Sequence, residues 1–151
     1  MNKFLIILLL ITLSTSKFSY NQSKKEICTC TKPAIDLVEF VNYWIGRPYR
    51  YGGTKETGID CSAFTQILYK EVFLKEIPRT AETQYKTLSV VSKSCLQAGD
   101  LIFFKSPYSP SGWHVGVYLW EQSFIHSAGK NSGVIISDLS NYTLKILGYR
   151  R

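Results

Sequence analysis

The sequence is short of the residues from which metal and redox centres are built. Among 151 residues there are two histidines, four cysteines and one methionine. Cys28 and Cys30 are separated by a single residue and have no histidine near them. A C-x-C pair in this setting is a weak match to a zinc site. We therefore expect no metal and no organic cofactor.

A long hydrophobic run is also missing. The apolar run FLIILLLITL covers residues 4–13 and follows a basic start. It is shorter than the roughly 20 residues that cross a bilayer, and small residues follow it, as in a secretory signal. We expect a signal peptide at 1–16, with an uncleaved anchor as the alternative, a polar tether at 17–31 and one domain at 32–151. The mature chain would be exported and would have no transmembrane span.

The charge is basic but not clustered. The chain has 18 Lys and Arg residues against 11 Asp and Glu, a net charge of +7. Loss of Lys3 with the signal would leave the mature chain at +6. No basic stripe is present, so we expect no nucleic-acid partner. The charge favours contact with anionic envelope polymers, or it describes a basic solvated surface. We expect a monomer.

Three helical segments come first in the domain. Pro33 is typical of a first helical turn, and Gly46 ends the segment that it begins. The apolar residues at helical spacing in this first helix are Ile35, Val38, Val41 and Ile45. Residues 46–58 have the glycines and proline of a loop. A second helix is predicted from Asp60 to about Val72, and a third, shorter one from Thr80.

The hydrophobic period changes after Gly99. Five short segments rich in β-branched and aromatic residues are separated by turn residues, which predicts strands. They cover 101–105, 114–120, 123–128, 133–139 and 146–151. Helices followed by a run of strands predict an α+β domain with an antiparallel sheet.

Cys61 lies where the second helix is predicted to begin. It could be half of a disulfide, a buried apolar residue or a nucleophile. The N–H groups and dipole of a helix start lower a thiol pKa, which favours the nucleophile. His114 and His126 would face each other across two strands if the hairpin turned near Trp120, whereas a turn at Glu121-Gln122 would shift the register. We expect His114 to act as base and His126 to orient it; the alternative is three unrelated core or surface residues.

Several stretches together resemble one family. GRPYRYGGTKETGIDCSAF, IPRTAETQ, LQAGDLIFF, HVGVYL and FIHSAG are similar in order and spacing to the NlpC family of bacterial cell-wall cysteine peptidases, from about Ala34 to the C-terminus. The resemblance implies a papain-like α+β fold, with N-terminal helices on a five- to six-stranded antiparallel sheet. It also implies that Cys61, His114 and His126 are catalytic and that Tyr49 helps to hold the oxyanion.

Other matched positions have a structural interpretation as well. Asp60 would cap the helix, and Asp100 would start the sheet through a turn hydrogen bond. Ser62 and Arg79 would bind substrate in the cleft, or they would have a structural role alone.

Two glycines and one departure from the family pattern lie close to Cys61. Gly52 and Gly53 would allow the preceding loop a close approach to the helix. The chain departs from the family pattern at Ala63, where glycine is usual.

The resemblance implies an exported peptidase of the periplasm or cell envelope that hydrolyses amide bonds in the peptide stems or crosslinks of peptidoglycan. It leaves open whether the bond joins D-glutamate to a diamino acid or forms the D,D crosslink. Two alternatives are an acyltransferase on the same fold and a non-catalytic wall-binding protein. The order Cys, His, His argues against the first alternative, and the intact set of three argues against the second.

The three remaining cysteines lie at the two ends of the helical region. An exported chain can form disulfides, so we expect Cys95 to bond to either Cys28 or Cys30. The alternatives are that all three stay reduced or that Cys28 is lipidated, although its polar surroundings are a poor context for lipidation.

Overall fold

The computed structural model describes residues 35–151, which form three α-helices and eight strands. The helices are α1 (Ile35–Trp44), α2 (Cys61–Phe73) and α3 (Ala81–Thr87). The strands are β1 (Thr54–Lys55), β2 (Gly58–Ile59), β3 (Val90–Val91), β4 (Leu101–Lys105), β5 (Trp113–Tyr118), β6 (Ser123–Gly129), β7 (Gly133–Asp138) and β8 (Ile146–Arg150). A short 3-10 helix, Lys93–Cys95, precedes β4.

Six of the strands form one antiparallel sheet in the order β3-β8-β4-β5-β6-β7. The predicted α+β fold, with helices packed on a five- to six-stranded sheet, is confirmed. The five predicted strands are all present, and the sixth, β3, is a two-residue edge strand.

The prediction of a plain loop at 46–58 is wrong at its end, where β1 and β2 form a small antiparallel hairpin. Two-residue strands are too short to show an alternating pattern.

Helix α1 ends at Trp44, close to the predicted end at Gly46, and its predicted start at Pro33 lies outside the described residues. Ile35, Val38 and Ile45 are exposed. Of the four apolar residues noted at helical spacing only Val41 is buried, and it contributes to the core together with Leu37, Phe40 and Trp44. Both sets recur at helical spacing, so periodicity alone allows either face. The larger aromatic surface of Phe40 and Trp44 packs against Phe64 of α2, and burying it removes more apolar area from water.

Hydrophobic side chains cover both faces of the sheet. One face packs against the helices through Phe103, Val115, Val117 and Ile125, among others. The opposite face carries a second cluster, which contains Ile102, Phe104, Phe124 and Tyr149 and is covered in part by the segment that contains Tyr142. Alternation along a strand explains this division, since successive side chains point to opposite faces.

Turn and cap residues begin these elements where the sequence predicts. The Asp100 carboxylate accepts the Gln97 N–H at 2.8 Å just before β4, and it also binds the Arg151 guanidinium at 2.7 and 2.9 Å. Thr80 caps α3 through its hydroxyl, which accepts the Thr83 N–H. These interactions are local in sequence, apart from the bond to Arg151.

The predicted signal peptide, tether and domain start lie outside the described residues, and so does Cys28, at which lipidation is the disfavoured alternative. Cys95 is disulfide-bonded, which confirms that part of the prediction, while the choice of Cys28 or Cys30 as its partner stays a prediction. No helix within residues 35–151 is both long and apolar enough to cross a membrane.

Candidate active site

Cys61 is the first residue of α2. The Asp60 side chain accepts the Ala63 N–H at 2.7 Å and so caps the helix, as predicted. Cys61 has a free thiol with an exposed fraction of 8%. The cap sets where the helix starts and therefore places the sulfur at its N-terminal end, where unpaired backbone N–H groups gather.

The Asp60 carboxylate is the centre of a hydrogen-bond network beneath this helix start. It accepts the Ser62 hydroxyl at 3.0 Å and the Gly52 N–H at 3.1 Å. The Arg79 guanidinium binds both of its oxygens, at 3.0 and 2.7 Å, and Arg79 also donates to the Ser62 hydroxyl at 3.0 Å. Ser62 and Arg79 thus have the structural role that the sequence left open, and both also line the cleft beside Cys61.

Two further interactions connect Cys61 and the segment that precedes it to the sheet. The Val115 backbone N–H lies close enough to the Cys61 sulfur to lower the pKa of the thiol, which puts the thiol beside β5 at the residue after His114. The Ser127 hydroxyl donates to the Ile59 carbonyl at 2.8 Å and ties β6 to the segment that precedes the helix. Gly53 keeps that segment compact, because an added Cβ would lie 2.2 Å from the Gly58 carbonyl oxygen.

His114 and His126 are in direct contact. The Nε2 atom of His114 and the Nδ1 atom of His126 are 2.6 Å apart. The rings do not lie directly opposite each other, because the turn falls at Glu121 and Gln122, which both have positive φ. The resulting register pairs Val117 with Ile125 and, continued along the strands, places Gly116 opposite His126.

Gly116 makes the diagonal contact between the histidines possible. An added Cβ at Gly116 would lie 2.6 Å from a ring carbon of Phe124 and 3.1 Å from the Cβ of His126. Of the two turns that the sequence leaves open, the structure has the one at Glu121-Gln122, and the shifted register still brings the two rings into contact. Glycine leaves the space in which His126 reaches across the offset to His114.

The other ring nitrogen of His126 has a partner that the sequence analysis missed. The His126 Nε2 and the Ser137 hydroxyl of β7 are 3.0 Å apart. Finding Ser137 requires the pairing between β6 and β7, in which Phe124 faces Ser137 and His126 faces Ile135. Tyr142 was also missed; its ring packs edge-on against His126 with centroids 5.4 Å apart.

Burial shifts the protonation of all three predicted catalytic side chains toward neutral forms. Desolvation raises the pKa of Cys61 to about 11, although the N–H groups of Val115, Ser62 and Cys61 itself lower it. Desolvation lowers the pKa of His114 to about 4, and burial and then the neighbouring His114 lower the pKa of His126 to about 3. The expectation of a lowered thiol pKa is wrong for the free protein, because desolvation outweighs the N–H groups.

An open cleft of about 370 Å³ leads to Cys61. Tyr49, predicted to hold an oxyanion, lines it together with the thiol, and burial raises the pKa of the Tyr49 hydroxyl. The remaining lining residues are Tyr51, Gly52, Asp60, Ser62, Arg79, Thr80, Ala81, Glu82, Ser109 and Ser111. Among residues 35–151, no three His, Cys, Asp or Glu side chains gather closely enough to hold a metal ion.

Several known proteins are similar to this chain in sequence or in fold. The chain is 40% identical over 105 residues to a probable endopeptidase of Haemophilus influenzae, an overlap of 70% of this chain and 65% of that one. It is 42% identical over 97 residues to the murein DD-endopeptidase MepS/murein LD-carboxypeptidase of Escherichia coli, covering 64% of this chain and 50% of the relative. The crystal structure of an NlpC/P60 family protein from Bacillus cereus superimposes with a TM-score of 0.69 at 34% identity, covering 82% of this chain and 42% of that one.

The region shared with these relatives is only part of their length. The chain spans between half and two thirds of the length of the two curated relatives. The model of the NlpC/P60 family matches residues 46–148, a range that contains the capped cysteine, both histidines and Ser137. The chain belongs to the NlpC/P60 family.

Proposed function

We propose that this protein is an exported cysteine peptidase that hydrolyses amide bonds in peptidoglycan stem peptides or crosslinks. One observation carries the proposal. The buried, free thiol of Cys61 lies beside the Val115 backbone N–H, which lowers the pKa of the thiol, and the residue before Val115 is His114, whose ring is hydrogen-bonded to that of His126 at 2.6 Å. A thiol, an imidazole and a second group that orients the imidazole form the minimal apparatus of a cysteine peptidase.

The neutral resting forms define the order of the chemical steps. As the Cys61 sulfur attacks the scissile carbonyl carbon, its proton passes to Nδ1 of His114, the ring nitrogen not bonded to His126. The resulting imidazolium then gives this proton to the leaving amine as the C–N bond breaks, which leaves an acyl-thioester on Cys61. Water, deprotonated by the same His114 nitrogen, attacks the thioester and releases the acid and the thiol.

The oxyanion of each tetrahedral intermediate needs hydrogen-bond donors that are already in place. The backbone N–H of Cys61 lies at the start of α2, and the Tyr49 hydroxyl lines the same cleft. We assign both to this role. Arg79 supports the site indirectly, since its ion pair with Asp60 offsets the negative charge that raises the pKa of Cys61.

Two observations support this substrate class, the names of the relatives and the charge of the chain. One relative is named a murein DD-endopeptidase, and a net charge of +7 favours approach to an anionic wall polymer. Export is proposed from the apolar run at residues 4–13, and action as a monomer from the completeness of the site within one chain. An acyltransferase would use the same thiol but would pass the acyl group to an amine or lipid acceptor rather than to water.

Digestion of purified peptidoglycan tests the proposal. The chain from residue 17 onward is incubated with intact sacculi and with isolated muropeptides, and the products are identified by mass spectrometry. We expect new products that each gain one water, at the D,D crosslink or between D-glutamate and the diamino acid. Cys61→Ser, which keeps the shape of the side chain but weakens the nucleophile, should retain less than about a tenth of the activity.

Three outcomes would contradict the proposal. Equal digestion by Cys61→Ser would place the nucleophile elsewhere. Products that carry an added amine or lipid instead of water would establish the acyltransferase. Binding to sacculi without any product would indicate a wall-binding protein.

A further inference from the structure

The His126 Nε2 atom forms a hydrogen bond with a residue that is not one of the three predicted catalytic residues. Ser137 lies on β7, and its hydroxyl is 3.0 Å from this nitrogen. His126 has an exposed fraction of 1%, so water has little access to its ring. We propose that Ser137 is a positioning residue that sets the proton positions on both histidines by accepting a hydrogen bond from His126. The proposal rests on the proposed function, in which His114 acts as a base.

The three groups form a line in which each proton position determines the next. If Ser137 accepts, the proton of His126 is on Nε2, and Nδ1 of His126 is a bare acceptor. His114 must then carry its proton on Nε2 to donate across the 2.6 Å contact. Its Nδ1 is consequently free to take the thiol proton. In the reverse arrangement Ser137 donates, both imidazoles carry their protons on Nδ1, and His114 cannot act as a base.

The orientation of the His126 ring does not depend on this hydroxyl. The ring lies against Phe124 with centroids 4.6 Å apart and meets Tyr142 edge-on. Packing on two sides already fixes the plane of the imidazole. The specific contribution of Ser137 is therefore an acceptor for the Nε2 proton, because a buried N–H without a partner costs free energy that favours the other tautomer.

The position of Ser137 suits this role. It pairs with Phe124 across the ladder, so it lies on the same face of the sheet as the histidines and two residues along from the direct partner of His126. It is half-buried on the strand at the edge of the sheet. A half-buried hydroxyl can give its own proton to water while its oxygen accepts from His126.

The test uses protein labelled with ¹⁵N in its histidines, of which the chain has two. Protonated and bare ring nitrogens give well-separated ¹⁵N signals, so the spectrum reports the tautomers directly. We expect both imidazoles of the unaltered chain to carry their protons on Nε2. In Ser137→Ala a population with protons on Nδ1 should appear, and kcat on muropeptides should fall about 2- to 12-fold, the factor expected for one neutral hydrogen bond, with KM unchanged.

Matched variants distinguish the effect of the Ser137 hydroxyl from the effect of side-chain packing. Ser137→Thr and Ser137→Val have nearly the same shape, but only threonine retains the hydroxyl. We expect threonine to keep the spectrum and valine to behave as alanine does, so this pair decides the matter even if Ser137→Ala fails to fold. Ser140→Ala removes a different serine hydroxyl near the end of β7, one bonded to Asp138 at 2.7 Å, and should change neither the tautomers nor kcat.

Protons on Nδ1 in the unaltered chain would overturn the proposal, and so would identical tautomers in the threonine and valine variants. Absence of any peptidoglycan digestion by the unaltered chain would instead contradict the proposed function. The NMR comparison is made without substrate, so it decides the role of Ser137 in either case.

Discussion

The Asp60 carboxylate and the Arg79 guanidinium form a two-point ion pair beneath the start of the cysteine helix, with N–O distances of 3.0 and 2.7 Å. The Asp60 side chain has an exposed fraction of 9%, and that of Arg79 36%. The same carboxylate caps the helix through the Ala63 N–H. One buried charge therefore connects the position of Cys61 to a residue eighteen positions later in the chain.

Removal of Arg79 should destabilise the fold and weaken the nucleophile together. In Arg79→Ala the Asp60 carboxylate stays buried without its counter-charge, which should cost about 1–3 kcal/mol in urea unfolding. The uncompensated charge should also raise the pKa of Cys61 further, because Asp60 already raises it. Lys86→Ala is the control, since it breaks the exposed Glu82–Lys86 pair and should cost no more than about 0.5 kcal/mol. Equal costs for the two variants would contradict the structural role of Arg79.

The two histidines should differ in how well they tolerate substitution. His114→Ala removes the base and should lower kcat/KM by about 100- to 10,000-fold. His126→Asn keeps an amide oxygen that can accept the His114 Nε2 proton, so the loss should stay below about tenfold. Steady-state kinetics on isolated muropeptides give both values, with circular dichroism as the check on folding. If both variants lost activity equally, the distinction between the two roles would be wrong. If His126→Asn lost more activity than His114→Ala, the two roles would be exchanged.

Tyr49 should contribute to the transition state rather than to binding. Tyr49→Phe removes only the hydroxyl, and kcat should fall by roughly 10- to 1000-fold, as expected for loss of one oxyanion donor. KM should stay near its original value. Tyr51→Phe is the matched control, because Tyr51 lines the same cleft but is exposed. If Tyr49→Phe altered KM alone, Tyr49 would be a substrate contact.

The thiol should titrate late in the free protein. Because burial raises the pKa of Cys61 to about 11, the thiolate fraction should rise about tenfold per pH unit from pH 7 to 10. The rate of iodoacetamide alkylation, followed by mass spectrometry of the peptide that contains Cys61, measures this fraction. Free glutathione should level off near its ordinary thiol pKa of about 8.5. A plateau for Cys61 below pH 8 would indicate a preformed thiolate.

Stability should fall as the solution is acidified. The pKa values of His114 and His126 in the folded protein, about 4 and about 3, lie below the ordinary value of about 6.5. Between pH 6.5 and 4 the unfolded chain therefore binds protons that the folded chain does not, so the free energy of unfolding decreases as the pH is lowered. Each histidine should account for about 2 kcal/mol between pH 7 and pH 5.

Urea unfolding at these two pH values measures the effect. His126→Asn should lose less stability than the unaltered chain on going from pH 7 to pH 5, because one of the two buried imidazoles is gone. An equal loss in both proteins would show that other groups govern the acid dependence.

The helix starts and the main strands depend on residues that are close together in the chain, and the sequence predicts them. The starts of α2 and α3 follow from Asp60 and Thr80, because a capping side chain bonds to the N–H three residues later. The five main strands follow from short β-branched and aromatic segments between turns. The family motifs then led to Cys61, His114 and His126, which lie within this local framework.

The remaining features are set by contacts between residues distant in sequence. The buried face of α1 was decided by the packing of Phe40 and Trp44 on Phe64, and the offset of the histidines by the turn at Glu121-Gln122 together with the missing side chain at Gly116. The contact of Ser137 with His126 required the register between β6 and β7. The raised thiol pKa required the desolvation of Cys61. The sequence by itself determined where elements begin and which side chains could react, because caps, turns and periodicity act over a few residues. Only the tertiary structure decided which faces are buried, which rings meet and which groups hold protons, because strand register and desolvation arise from the assembled chain.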